Sequence, residues 1–103
     1  MFSLCIPTIN RFDNFLIFSI PKYLENNLIN EIIISDENGN DAAKIQTKFK
    51  NNPKIKIFTN TSILGPFLNK INSCSKASNE WIALIDSDNF ADLNYFINAK
   101  KYI

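Results

Sequence analysis

Trp81-Ile82-Ala83-Leu84-Ile85-Asp86-Ser87-Asp88-Asn89 is a short apolar run that ends in two carboxylates one residue apart. An unbroken apolar run of this length predicts a strand buried on both faces, the habit of parallel sheets, so its acidic end marks where the sheet meets solvent. Open α/β sheets bind their ligands at that end. In an extended segment, Asp-x-Asp points both side chains to one side, and their oxygens repel unless a positive charge lies between them. A hard divalent cation, Mg2+ or Mn2+, suits such a pair. The competing reading makes Asp88 or Asn89 the N-cap of a following helix.

Working outward, Ser3 to Pro7 predicts a first strand, followed by a polar loop from Thr8 to Arg11. A helix starts near Phe12 or Asp13, with Phe12, Phe15, Leu16 and Ile20 on one buried face and Pro21 ending or kinking it. Tyr23, Leu24, Leu28 and Ile29 suggest a second helical piece. Glu31 to Asp36, with three consecutive isoleucines, predicts a buried second strand. Asn38-Gly39 marks a turn, and Asn40 is placed to cap a helix with Asp41 in its first turn and Ala42, Ile45 and Phe49 inward. Lys54 to Phe58 alternates lysine with apolar residues, the pattern of an edge strand with one wet face. Gly65-Pro66 introduces a helix from Phe67 to Ala77 with Phe67, Ile71 and Cys74 inward, and a last helix spans Leu93 to Ile103.

Alternation of strands and helices calls for right-handed crossovers and a parallel α/β sheet with flanking helices. With the alternating strand at an edge, the order is 3-2-1-4, which sets the first and fourth strands side by side at the switch point. Pro7 and Thr8 then face Asp86 and Asp88, with Asp36 one strand away.

The 103 residues make a single domain that buries roughly 65% of its unfolded surface. Eleven basic and ten acidic residues leave a net charge of +1, which argues against a nucleic-acid partner. The absence of histidine removes Ser-His and Cys-His nucleophile systems. Cys5 and Cys74 lack metal-ligand spacing and read as core thiols. The start has no basic region ahead of an apolar stretch, and the run from Phe15 to Ile20 is too short to span a bilayer, so no transmembrane segment is expected. The expected location is the cytoplasm, with the inner membrane face as a peripheral alternative.

Four stretches together resemble the nucleotide-binding half of a family 2 glycosyltransferase of the GT-A fold: Ser3 to Arg11, Glu31 to Asp41, Gly65 to Ala77, and Glu80 to Asp88. The resemblance implies transfer of a sugar from a nucleotide-diphosphate sugar to a sugar, lipid-linked or protein acceptor. It assigns base and ribose to Pro7, Thr8 and Asp36. Asp86 is assigned to ribose and metal, and Asp88 to a divalent metal, Mn2+ or Mg2+, that bridges the phosphates. Lys70 stands where many relatives carry a basic residue, and it either reaches a phosphate or is a solvated helix residue. Arg11 either clamps phosphate or pairs with Asp13. Ile9, Glu37 and Asn72 depart from the family pattern, which commonly has an aromatic, an aspartate and an Arg-Asn pair at these places. The acceptor half, with the general base, is expected beyond Ile103, so residues 1–103 read as one truncated GT-A domain, and Asp92 reads as a helix cap.

Two other readings compete. One is a non-catalytic nucleotide-sugar-binding module. The other is a nucleotidyltransferase of related fold, which calls for a glycine-rich phosphate loop after the first strand, and Thr8-Ile9-Asn10-Arg11 has no glycine. An aspartyl-nucleophile phosphatase requires Asp-x-Asp after the first strand and is disfavoured.

Overall fold

Alternate residues of the central strands divide the sheet into an apolar face and a polar one, and the helices are distributed to match. The computed structural model describes residues 1–103 throughout. Strands β1 (Phe2–Thr8), β2 (Ile29–Asp36), β3 (Ile55–Thr59) and β4 (Trp81–Leu84) form one parallel sheet in the order β3-β2-β1-β4, the expected 3-2-1-4 arrangement. Helices α1 (Ile17–Glu25), α2 (Asn40–Lys48), α3 (Pro66–Ser75) and α4 (Leu93–Lys100) connect or follow them. Leu4, Ile6, Ile32, Ile34 and Ala83 share one face, where they form a core with Ile20 and Tyr23 of α1, Ile45 of α2 and Phe96 of α4. Phe96 is fully buried and meets Phe2 edge-to-face, with ring centroids 5.4 Å apart. Ser3, Cys5, Glu31 and Ser35 fall on the opposite face by the period of two, and α3 packs there against β1, β2 and β4.

That polar face explains a departure from the expected pattern. Phe67 and Ile71 do not face inward: they are 73% and 53% exposed, whereas Asn69 and Ser73 are buried. Ser35 donates to Asn69 Oδ1 at 2.7 Å, and Asn69 Nδ2 donates to the Ser35 carbonyl at 3.0 Å. Asn60 and Asn72 close the network, with Asn72 Nδ2 donating to Asn60 Oδ1 at 2.9 Å. A buried network with every member satisfied is stable in a low-dielectric setting, and it turns the helix so that its apolar stripe faces solvent. The strand β4 also departs: Trp81, Ile82 and Leu84 are each about two-fifths exposed and only Ala83 is buried. As an edge strand, β4 has a neighbour on one side alone.

The helix after β1 is not ended by Pro21. It opens with a wide π-helical turn, Phe12–Leu16, in which the Leu16 N–H reaches back five residues to the Arg11 carbonyl at 3.1 Å. The extra residue per turn carries Phe15 out of the buried stripe, while Phe12, Leu16 and Ile20 stay in it. Helix α1 then runs through Pro21 to Glu25. Its anchors Leu16, Ile20 and Tyr23 are buried on both sides of the proline, enough to outweigh a cost of about 3 kcal/mol. No separate second helical piece forms: Tyr23 and Leu24 belong to α1, Leu28 lies in the turn, and Ile29 opens β2. Lys54 instead finishes α1, its ammonium donating to the carbonyls of Leu24 and Asn26 at 3.2 and 2.9 Å.

At the end of the sheet opposite the acidic loop, the buried Glu31 carboxylate ties all four strands together. It accepts from Ser3 of β1 at 2.8 Å, from Lys56 of β3 at 3.0 Å, and from the backbone and hydroxyl of Ser78 ahead of β4. Burial alone would push this carboxyl up. The hydrogen bonds from Ser78, Lys56 and Ser3 outweigh it and hold the group at about 2.

Candidate functional site

The chain end of β1 is shaped by a residue that follows a turn thirty positions later. Asp41, buried in the first turn of α2, accepts the Thr8 hydroxyl at 2.7 Å, the Arg11 N–H at 3.0 Å and the Phe12 N–H at 3.0 Å. One carboxylate thus fixes the loop after β1 and supplies an acceptor for the free N–H groups at the start of the π-helical turn. Asn10, with a φ of +51°, sits at the loop's tip, where its Oδ1 accepts from Asn38 and Asn40. The Thr8 hydroxyl is therefore engaged with Asp41, and Thr8 contributes to the site through its position. Nothing in the sequence ties Asp41 to this loop, since a carboxylate in a first helical turn is explained by the helix itself.

Asp36 is placed differently from the expectation. It is fully buried, its Oδ2 accepts the Ala42 N–H at 2.8 Å and its Oδ1 the Asn38 N–H at 3.3 Å. Asp36 therefore caps α2 across the Asn38-Gly39 turn, a role expected of Asn40. Gly39 occupies the cap position with a φ of +86°, and a Cβ there would stand 3.3 Å from Thr59 Cγ2. The next residue, Glu37, reaches the site in place of Asp36. Its oxygens accept from Asn60, from the Leu64 N–H at 2.9 Å and from the Gly65 N–H at 3.0 Å, which holds the segment before α3 beside the end of β1.

Asp86, Ser87 and Asp88 form a turn rather than an extended segment, closed by the Asn89 N–H donating to the Asp86 carbonyl at 3.0 Å. Neither Asp88 nor Asn89 caps the last helix. Asp92 does so, its Oδ1 accepting the Tyr95 N–H at 3.0 Å. Asp86 lies 3.6 Å from the Lys70 ammonium, both side chains being nearly half exposed. Arg11 does not pair with Asp13, whose partner is Lys44 at 2.8 Å. The Arg11 guanidinium has a single 3.5 Å contact with its neighbour's carbonyl.

These pieces surround one crevice of about 430 Å³ at the chain ends of β1 and β4. Pro7, Thr8, Arg11, Lys70, Asp86 and Asp88 all line it, together with Glu37 and Asn69. Six of the seven expected residues are thus brought together, and Asp36 is not among them. A larger hollow between α2 and β3 is lined by no carboxylate. Glu37 is committed to Asn60 and to the N–H groups of Leu64 and Gly65, and Asp86 and Asp88 by themselves do not make an all-protein cage. They do fit the way Mg2+ is commonly held, through one or two carboxylates with phosphate oxygens completing the shell. Cys5 offers no nucleophile, because burial and the neighbouring Cys74 push its thiol up to about 12.

The arrangement agrees with three comparisons. The chain is 35% identical over 91 residues to the GalNAc(5)-diNAcBac-PP-undecaprenol beta-1,3-glucosyltransferase of Campylobacter jejuni subsp. jejuni serotype O:2, an alignment that covers 84% of this chain and 29% of that protein. Its fold is similar to that of S. aureus TarS 1-349, with a TM-score of 0.80 and 20% identity over 99% of this chain and 32% of the other. The same protein in complex with UDP matches with a TM-score of 0.80 and 19% identity, over 99% of this chain and 31% of that one. The chain thus spans about a third of the length of the proteins it matches. The sequence profile of Glycosyl transferase family 2 matches residues 3–99, nearly the whole chain and all four of the stretches read above, and the chain belongs to that family.

Proposed function

We propose that this chain supplies the donor half of a glycosyltransferase, binding a nucleotide-diphosphate sugar whose sugar passes to an acceptor hydroxyl. The observation that carries the reading is the convergence of Arg11, Lys70, Asp86 and Asp88 on one crevice at the switch point of the sheet. The UDP complex of the TarS structure and the glucosyltransferase name of the Campylobacter protein support a sugar-nucleotide donor.

Each residue has a task in this reading. Pro7 and Ile9 form an apolar wall for the base, and Thr8 keeps its place through Asp41. The Arg11 guanidinium, without a carboxylate partner, is free to fork onto a phosphate. Lys70 exchanges its long contact with Asp86 for a phosphate oxygen as the donor enters. Asp86 and Asp88 would hold a divalent cation, which when bound neutralises charge gathering on the departing diphosphate. Asn69, locked to Ser35, fixes the helix turn that presents Lys70. Neither nearby carboxylate is free to act as the general base: Asp92 is engaged as the α4 cap, and both oxygens of Glu37 hold the segment before α3. We assign the base to a separate acceptor half, for which the exposed apolar surface of β4 and α3 offers a seat.

Thermal unfolding of the purified chain with UDP, GDP, dTDP or CDP, each with and without Mn2+, tests the proposal. A nucleotide at ten times its Kd stabilises the fold by about 1.4 kcal/mol, which raises the midpoint by roughly 6 to 11 °C. The expected result is a metal-dependent rise with one nucleotide that Asp88→Ala abolishes. A folded chain that responds to none of the four overturns the proposal.

A further inference from the structure

Asn38-Gly39 is the one place in the chain where glycine follows an asparagine. A peptide nitrogen can attack the carboxamide carbon of the asparagine before it, and the missing Cβ of glycine leaves that nitrogen open to do so. The structure holds this pair ready for the attack. Asn38 is exposed, and the Gly39 N–H donates to no group of the chain. The Asn38 Oδ1 accepts the Asn40 N–H at 3.0 Å, and the ring closed by that bond contains both the Asn38 Cγ and the Gly39 nitrogen. The same bond draws electron density from Cγ and is already aimed at the oxygen on which negative charge gathers during the attack. Asp36 pins the arrangement from beneath, accepting the N–H groups of Asn38 and Ala42 on either side of the pair. The other amide atom, Asn38 Nδ2, donates to Asn10 Oδ1 at 3.1 Å, which ties the turn to the loop tip beside Arg11.

We infer that Asn38 is a site of spontaneous deamidation, with water as its only reagent, and that its conversion releases the loop that carries Arg11. The Gly39 nitrogen bonds to Asn38 Cγ, the bond from Cγ to Nδ2 breaks, and Nδ2 leaves as ammonia with the proton from Gly39. Water then opens the cyclic imide. Opening at Cγ gives aspartate. Opening at the main-chain carbonyl gives isoaspartate, whose backbone runs through Cγ and is longer by one carbon. Either product is ionised at neutral pH and lowers the net charge of +1 by one unit. A carboxylate cannot donate, so the bond from residue 38 to Asn10 Oδ1 is lost. In isoaspartate the added carbon also lies between the two N–H groups that Asp36 bridges.

Storage of the purified chain in warm, mildly alkaline buffer, sampled by ion exchange and peptide mass spectrometry, tests the inference. The peptide that contains residue 38 should gain about 1 Da ahead of every other asparagine, with isoaspartate among its products. The chain unfolded in guanidinium should convert at Asn38 no faster than the folded chain, since the fold already holds the reactive turn. Asn38→Gln, at an exposed position that spares folding, should remove the acidic species. Conversion that begins at another asparagine, that is slower at Asn38 in the folded chain than in the unfolded one, or that yields the acidic species equally from Asn38→Gln, overturns the site. In the converted fraction the amides of Asn10, Arg11 and Ala42 should shift while those of Trp81 to Leu84 stay in place. Converted chain with all of these amides unmoved overturns the release of the loop.

Discussion

Glu31→Gln isolates the network that joins all four strands at the end of the sheet away from the site. The Glu31 carboxylate is 3% exposed and is held at about 2, against an ordinary value of 4.5, by donors from Ser78, Lys56 and Ser3 that outweigh burial. A group whose folded value lies below its unfolded one stabilises the fold fully above the unfolded value and loses that contribution as pH falls through the folded one. The difference corresponds to about 3 kcal/mol, present above pH 4.5 and lost between about pH 4.5 and 2. Glutamine keeps the shape but turns an amide N–H₂ toward donors. Urea unfolding at a series of pH values should place Glu31→Gln about 3 kcal/mol below the unaltered chain at pH 7. The gap should close toward pH 2, where the native carboxyl is itself protonated. A gap that stays constant across that range would show that the loss is one of packing and would refute the electrostatic account.

Arg11→Ala should weaken nucleoside-diphosphate binding about tenfold in calorimetry, the loss of one charge-assisted contact, while leaving affinity for the bare nucleoside unchanged. Arg11→Lys should recover only part of it, because a point charge cannot fork. Asp41→Ala should cost about 2 kcal/mol in urea unfolding and change the amide shifts of Thr8 through Phe12, since it removes the acceptor for the Thr8 hydroxyl and two backbone N–H groups. Mn2+ alone should bind far more weakly than Mn2+ with a nucleoside diphosphate, because two carboxylates leave most of the cation's shell to phosphate and water.

The order of the sheet was legible because its two informative strands are opposite in kind: Ile32, Ile33 and Ile34 run unbroken in the buried middle, and Lys56 interrupts the isoleucines of the edge. The crevice was legible because motif residues at strand ends converge once the order is known. The failures share a physical cause, namely partners distant in sequence. Phe67 and Ile71 have inward spacing on a helical wheel, yet Ser35 lies on the sheet face that α3 covers and draws Asn69 inward instead. Asp36 and Glu37 are adjacent carboxylates at a strand end, and only the path of the Asn38-Gly39 turn decides which caps α2 and which reaches the crevice. Trp81 to Leu84 reads as a buried strand because composition records apolarity and not the number of neighbours.

The claim that Asp88 and its neighbours form a metal-dependent site for a nucleoside diphosphate is tested most directly by titrating UDP, and then GDP, dTDP and CDP, into the chain in the presence of Mn2+. The same titration is run with chelator and with Asp88→Asn. Saturable one-to-one binding of one nucleotide, weakened at least tenfold both by chelation and by the substitution, is the predicted result. Equal affinity in all three conditions, or no binding of any of the four to a folded chain, would contradict it.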